Sequence, residues 1–122
     1  MHIFLIDDDG ITNMLNQYFF EEHFRDVTIS AYTDPEDALD FLMNSKEQPN
    51  YIFLDINMPV MDGWEFLENY EKRKIDKEHK PDIYLLSSSV DPADFNRAKT
   101  KCYVKGFISK PLEIEKLGFM KK

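Results

Sequence analysis

The chain has 122 residues, of which 43% are hydrophobic and 31% are charged, an ordinary balance for one folded domain and unlike that of a disordered or membrane chain. Its formal net charge of -8 would repel nucleic acid phosphates and anionic bilayers, so we expect neither direct nucleic acid binding nor membrane insertion. The single cysteine excludes an internal disulfide, and the apolar N-terminal stretch is too short for a signal sequence, which favours a cytoplasmic protein.

Five short apolar runs alternate with amphipathic stretches along the chain. They lie at 3–6, 27–32, 51–54, 83–86 and 104–108. This alternation predicts repeated βα units and a parallel sheet. The first, third and fourth runs are continuously apolar, which is typical of strands covered by helices on both faces. In the second run Thr28 and Ser30 alternate with apolar residues, which favours an edge strand.

Helix signals lie between these runs. An apolar stripe at helical spacing predicts the first helix, and its members are Ile11, Met14, Leu15, Tyr18 and Phe19. A capping aspartate followed by proline, as at Asp34-Pro35 and Asp91-Pro92, predicts the start of two more helices.

A further helical stripe follows Gly63, and its members are Trp64, Phe66, Leu67 and Tyr70. The polar segment 71–80 predicts a mobile loop, and 112–122 leaves room for only a short final helix. We find no internal repeat and no linker, so we expect a single domain spanning 1–122 with no output domain in this chain.

Polar residues follow four of the predicted strands. They are Asp7, Asp8 and Asp9 after the first, Asp55 after the third, Ser87 after the fourth, and Ser109 and Lys110 after the fifth. Ligands bind to open α/β sheets at the carboxyl ends of the strands. We therefore expect acids, a hydroxyl and an amine to meet at one edge of the sheet.

The acids at this edge suggest a cation site. Carboxylates facing one crevice repel each other unless a cation neutralises them. Because the candidate ligands are all oxygens, a hard ion such as Mg²⁺ is favoured. The alternative is a solvated turn that caps the first helix, and Asp9 is the residue suited to that part.

Lys110 and Ser87 complete an anion site. The ammonium suits one phosphoryl oxygen and the hydroxyl can donate to another. A phosphoryl group held there would lie next to Asp55, whose carboxylate could attack in line and form an acyl phosphate. Taken alone, Lys110 would be interpreted as a surface amine, and only its combination with the other residues favours the anion site.

With these residues in place, the sequence resembles the receiver domain family of two-component signalling. The resemblance runs essentially end to end and is carried by FLIDDD at 4–9, FLDINMP at 53–59 with MDG at 61–63, LLSS at 85–88 and GFISKP at 106–111. It implies a flavodoxin-like, doubly wound five-stranded parallel sheet of order 2-1-3-4-5 with helices on both faces.

The resemblance also implies a phosphoacceptor and a metal site. Asp55 would be the acceptor, and Asp8 and Asp55 would bind Mg²⁺ through their carboxylates. Asp7 would act through a metal-bound water, and Asn57 would supply its backbone carbonyl.

The remaining roles that the resemblance implies concern the switch and the loops. Ser87 is the switch hydroxyl, Lys110 the phosphate-binding amine, and Phe107 the aromatic that fills the space left when Ser87 moves. Two departures are Phe107 in place of the more usual Tyr, and Ser87 where Thr is common.

Two prolines and one glycine also have roles that the resemblance implies. Pro59 and Gly63 shape the loop after the acceptor, which agrees with their reading as turn residues before a helix. A cis Lys110-Pro111 bond is expected to aim the amine inward.

By this resemblance the chain is a phosphorylation switch and not a metabolic enzyme, with self-catalysed phosphotransfer and autodephosphorylation. Its donor would be a histidine kinase or histidine phosphotransfer protein, and it would signal to a downstream protein target. Alternatives are an unphosphorylated pseudo-receiver and a phosphohydrolase with Asp55 as nucleophile. A phosphohydrolase usually has a second carboxylate where this chain has Asn57. An FMN-binding flavodoxin fits less well, because aspartates follow the first strand.

Overall fold

A five-stranded parallel sheet forms the centre of the computed structural model, which describes residues 1–75, 81–89 and 91–120. The strands are β1 His2–Ile6, β2 Thr28–Tyr32, β3 Tyr51–Asp55, β4 Asp82–Ser87 and β5 Val104–Ser109. Their order is β2-β1-β3-β4-β5, and every neighbouring pair is parallel. The predicted sheet, its order and the edge position of β2 are confirmed.

Among the described residues, four α-helices and a short 3-10 helix after β5 connect and follow the strands. They are α1 Gly10–His23, α2 Pro35–Asn44, α3 Gly63–Lys72, α4 Pro92–Ala98 and the 3-10 helix Ile114–Leu117. The Asp34 side chain accepts from the backbone N–H of Glu36 and the Asp91 side chain from that of Ala93, with proline first in each helix. The short final helix is also confirmed. None of the described helices is long and apolar enough to span a bilayer.

The predicted loop 71–80 is only partly tested by the structure. Its first two residues belong to α3, which continues to Lys72 because Tyr70 on its inner face is fully buried. Residues 76–80 lie outside the described part of the chain.

The core has two layers, one on each face of the sheet. On one face, side chains of α2, α3 and α4, including Leu39, Leu67 and Ala98, pack against the strands. On the other face, Phe20 of α1 and Leu117 of the 3-10 helix pack against the strands. Helices therefore cover both faces, which explains why the central strands are almost uniformly apolar.

Helix α1 is present as predicted, but most of its apolar stripe faces solvent. The exposed fractions are 66% for Ile11, 62% for Met14, 60% for Leu15 and 67% for Tyr18. The fully buried positions of the helix are instead Asn13 and Phe20. Asn13 donates through Nδ2 to the carbonyls of Asp7 at 3.0 Å and Tyr32 at 3.1 Å. These bonds turn the Asn13 face of the helix toward the sheet.

Because the 3-10 helix is short, an aromatic cluster covers part of the sheet face on which α1 packs. Phe119 stacks on Tyr84 with ring centroids 4.1 Å apart. Tyr84 in turn lies over Gly106 of β5, where an added Cβ would meet the Tyr84 ring at 2.9 Å. Glycine at 106 therefore makes room for the Tyr84 ring.

Candidate functional site

Three carboxylates meet at the carboxyl edge of the sheet. Asp7, Asp8 and Asp55 each offer an oxygen within 4.8 Å of the others. Asp7 and Asp55 are buried and Asp8 is exposed. The register explains the meeting, because β1 and β3 pair through Ile6 and Leu54 and the next residue of each strand is an aspartate. The predicted cluster of acids is therefore present.

Lys110 reaches these carboxylates from the end of β5. Its Nζ lies 3.1 Å from Asp7 Oδ2 and 3.3 Å from Asp55 Oδ2. Its backbone N–H donates to the carbonyl of Ser87 at 2.8 Å, which extends the pairing of β4 and β5 by one bond. The Lys110-Pro111 peptide bond is cis, as the resemblance implied.

The charges at this edge depend on each other. Burial raises the pKa of Asp55, and the neighbouring Asp7 charge raises it further. Hydrogen bonds from the Asn57 N–H and from Lys110 lower that pKa, but the net shift is upward. Burial alone would lower the pKa of Lys110, but its bond to Asp7 and the charge of Asp55 raise that pKa overall. Lys110 is therefore a permanent cation that offsets two buried acids at neutral pH.

Ser87 lies at the end of β4 and is almost fully buried. Its Oγ donates to the carbonyl of Ser89 at 2.6 Å and accepts from the Asn57 Nδ2 at 3.3 Å. Asn57 also donates its backbone N–H to Asp55 Oδ1 at 3.0 Å. The hydroxyl thus bonds to its own loop and to the loop that follows Asp55.

Phe107 is partly buried on β5, two residues before the edge, and packs with the core on the α2, α3 and α4 side of the sheet. Its ring centroid is 6.3 Å from that of Phe95 on α4. The structure therefore places Phe107 on β5 next to Phe95 of α4.

The loop between β3 and α3 closes tightly on itself. Gly63 donates its N–H to the Ile56 carbonyl at 3.1 Å, and a Cβ at Gly63 would lie 2.7 Å from Ile56 Cα. Only glycine fits this approach. Asp62 and Glu65 form a reciprocal capping box that starts α3. Pro59 is exposed in the same loop.

A tryptophan joins α3 to α4 beside this loop. The Trp64 Nε1 donates to Asp94 Oδ1 at 3.1 Å, and the Arg97 guanidinium lies 4.5 Å from the Trp64 ring centroid. The sequence pattern placed Trp64 on a helical stripe but carried no signal for this contact, because its partners are 30 or more residues away.

Asn13 is a second residue whose part sequence reasoning missed. It supports the edge by bonding to the carbonyl of Asp7 and to that of Tyr32 at the end of β2. One available signal is its spacing of seven residues from Phe20, which places both on one helix face.

Comparisons with known proteins give a consistent result. The family described as "Response regulator receiver domain" matches residues 3–120. The "Probable transcriptional regulator ycf29" of Porphyra purpurea is 29% identical over 119 residues, which are 95% of this chain and 52% of that protein. The "Putative two-component response regulator ARR13" of Arabidopsis thaliana is 26% identical over 113 residues, 92% of this chain and 18% of that protein. The chain thus spans about half or less of the length of these two relatives.

Solved structures share the fold over nearly the whole chain. A two component response regulator from Cytophaga hutchinsonii superposes with a TM-score of 0.86 and 34% identity, covering 97% of this chain and 91% of that one. The Vibrio cholerae chemotaxis protein CheY4 superposes with a TM-score of 0.77 and 22% identity, covering 95% and 91%. At the lower identity the likeness concerns the fold alone.

Proposed function

Because the chain belongs to the response regulator receiver domain family, we propose that it is a phosphorylation switch whose acceptor is Asp55. The observation that carries this proposal is the arrangement at the sheet edge, where the Lys110 ammonium lies 3.3 Å from the buried Asp55, in a cluster with the buried Asp7 and the exposed Asp8. A protein that used this fold only for binding would need neither the buried acids nor the cation that offsets them.

Phosphoryl transfer requires a nucleophilic carboxylate and groups that position the donor and compensate its charge. An Asp55 oxygen attacks the phosphorus of a phosphohistidine, the P–N bond breaks, and its electron pair returns to the imidazole nitrogen. The product is an acyl phosphate on Asp55. Lys110 and Ser87 donate hydrogen bonds to the transferred phosphoryl oxygens, so catalysis consists of positioning and charge compensation. Hydrolysis of the acyl phosphate at the same site resets the switch.

The acidic cluster suits a resident Mg²⁺. All three of its candidate side chains are carboxylates, and the oxygens are close enough to share one hard cation. We assign direct carboxylate ligation to Asp8 and Asp55, ligation through water to Asp7, and backbone carbonyl ligation to Asn57. When bound, the ion would neutralise the carboxylates and the oxygens of the incoming phosphoryl group.

The signal would leave through Ser87 and Phe107. Phosphorylation of Asp55 adds roughly one further negative charge and new acceptor oxygens. These draw the Ser87 hydroxyl away from the Ser89 carbonyl that it bonds at 2.6 Å. Phe107 then moves toward the vacated space and changes its contact with Phe95, which alters the surface of α4 and β5 that a downstream protein target reads.

The exposed face of α1 supports a protein as phosphodonor. Its apolar side chains begin at Ile11, three residues after Asp8, and a cavity of about 300 Å³ separates the helix from the Lys110-Pro111 segment. A contiguous apolar surface on a domain this small is typical of a protein interface. We assign it to the histidine kinase or histidine phosphotransfer protein that must bring its phosphohistidine to Asp55.

All strands of the described residues belong to one sheet, which supports a single domain.

Intact mass measurement tests the proposal. Wild type incubated with acetyl phosphate and Mg²⁺ should gain the mass of one phosphoryl group, and the gain should fail without Mg²⁺ and in Asp55→Asn. Asp82→Asn is the matched control, because Asp82 begins β4 at the opposite edge of the sheet. If folded wild type gains no mass and does not bind beryllofluoride, the chain is an unphosphorylated pseudo-receiver and the proposal is wrong.

A further inference from the structure

Lys116, in the 3-10 helix, uses its ammonium to hold the segment that carries Lys110. Its Nζ donates to the carbonyls of Ser109 at 2.9 Å and Pro111 at 3.1 Å. It also forms an ion pair with Glu113 Oε1 at 2.9 Å. An ammonium has three donors, and here each has an acceptor. The Lys116 side chain is 29% exposed, so it is partly enclosed by these groups.

The two carbonyls that Lys116 binds lie on either side of Lys110. Within the sheet, Lys110 is held by a single backbone bond, from its N–H to the Ser87 carbonyl at 2.8 Å. Beyond that bond β5 has ended, and Pro111 has no N–H with which to continue the pairing. Lys116 therefore supplies the anchoring that the sheet no longer provides at this point.

We propose that Lys116 is a positioning residue for phosphotransfer, which holds the Lys110 backbone so that the Lys110 ammonium stays aimed at Asp55. This inference rests on the proposed function. Its physical basis is that a catalytic group displaced by about 1 Å can lose on the order of a hundredfold in rate. Lys116 itself does not contact the transferred group.

The first test compares Lys116→Met, which keeps an apolar stem and removes the ammonium, with Lys46→Met on the exposed loop after α2. We expect phosphorylation by acetyl phosphate at saturating Mg²⁺ to slow by roughly 3- to 10-fold in Lys116→Met. Lys46→Met should react at the wild-type rate. Mg²⁺ affinity, measured by calorimetric titration, should not fall in either variant, whereas general damage to the site would weaken it.

A double-mutant cycle with Lys110→Met separates positioning from a general structural effect. If Lys116 acts through Lys110, adding Lys116→Met to Lys110→Met should change the remaining rate by less than about twofold. An unchanged penalty in that background would overturn the inference. Lys116→Gln, a milder change, should slow the wild-type reaction in the same direction if Lys116→Met folds poorly.

Failure of the inference and failure of the proposed function give different results. If wild type is phosphorylated and Lys116→Met matches Lys46→Met, only the inference is wrong. If wild type is not phosphorylated, the proposed function is wrong, and amide hydrogen exchange then decides the role of Lys116. Faster exchange of the Lys110 N–H in Lys116→Met supports the anchoring, and unchanged exchange contradicts it.

Discussion

Buried polar groups support the acids at the sheet edge from behind. Asn13 is the clearest case, since its amide bonds to carbonyls of two different strand ends while the side chain is buried. A buried donor of this kind matters most when it is removed, because its acceptors then lose a partner that water cannot replace.

Asn13→Ala should lower the free energy of unfolding by about 1–3 kcal/mol, because two carbonyls lose a buried donor. Urea unfolding followed by circular dichroism measures this. Asn96→Ala, on the exposed surface of α4, is the control for the higher helix propensity of alanine and should be neutral or slightly stabilising. Equal effects at the two positions would show that the Asn13 bonds contribute little.

Tyr84 predicts an alkaline sensitivity of the fold. Burial raises the pKa of Tyr84 to about 12, and Asp82 adds to the shift. The unfolded chain ionises this phenol near its ordinary pKa of about 10, so the stabilisation is complete below that pH and is lost as pH rises toward 12. Between pH 9 and 11 wild type should lose about 1 kcal/mol more stability than Tyr84→Phe. Parallel pH profiles of urea unfolding would contradict this.

At the scale of elements, the sequence predicted those features that depend on residues close together in the chain. The capping aspartates and their prolines started α2 and α4 where the sequence indicated, because those bonds span two residues. The polar residues that follow the strands likewise predicted that the acids and Lys110 meet at one edge of the sheet. The outward face of α1 could not be predicted, because it depends on bonds from Asn13 to β1 and β2. The contacts of Trp64 were missed because its partners lie 30 or more residues away in the sequence. Those of Lys116 lie within seven residues, but they depend on how the chain turns after β5.

The orientation of α1 can be tested with leucine truncations. Leu15→Ala should change the free energy of unfolding by no more than about 0.5 kcal/mol, because the side chain is already mostly exposed. Leu39→Ala in α2, where the leucine is fully buried, should cost about 2–5 kcal/mol. A comparable loss at Leu15 would mean that the apolar stripe packs against the sheet after all.

For the whole molecule, the dominant feature is an excess of negative charge with three carboxylates gathered at one edge. Folding brings these acids together against their mutual repulsion, while in the unfolded chain Asp55 is far from the other two. A divalent cation that binds the folded cluster must therefore stabilise the fold as a whole.

Mg²⁺ should raise the melting temperature, with a stabilisation of about 2.7 kcal/mol when its concentration is one hundred times the dissociation constant. The rise should be reversed by EDTA and strongly reduced in Asp8→Asn, while Asp82→Asn keeps it. Sodium chloride at matched ionic strength controls for general screening of the net charge. If sodium chloride gives the same rise as Mg²⁺, the cluster does not act as a specific cation site.

The contact between α3 and α4 has an optical consequence. Trp64 is the single tryptophan of the chain, and its indole is held between a carboxylate and a guanidinium that both belong to α4. Indole emission responds to nearby charges, so displacement of α4 changes the colour and intensity of the protein's own fluorescence. The chain thus carries an internal spectroscopic probe at the helix whose surface a partner would read, and conformational kinetics can be followed there without any added dye.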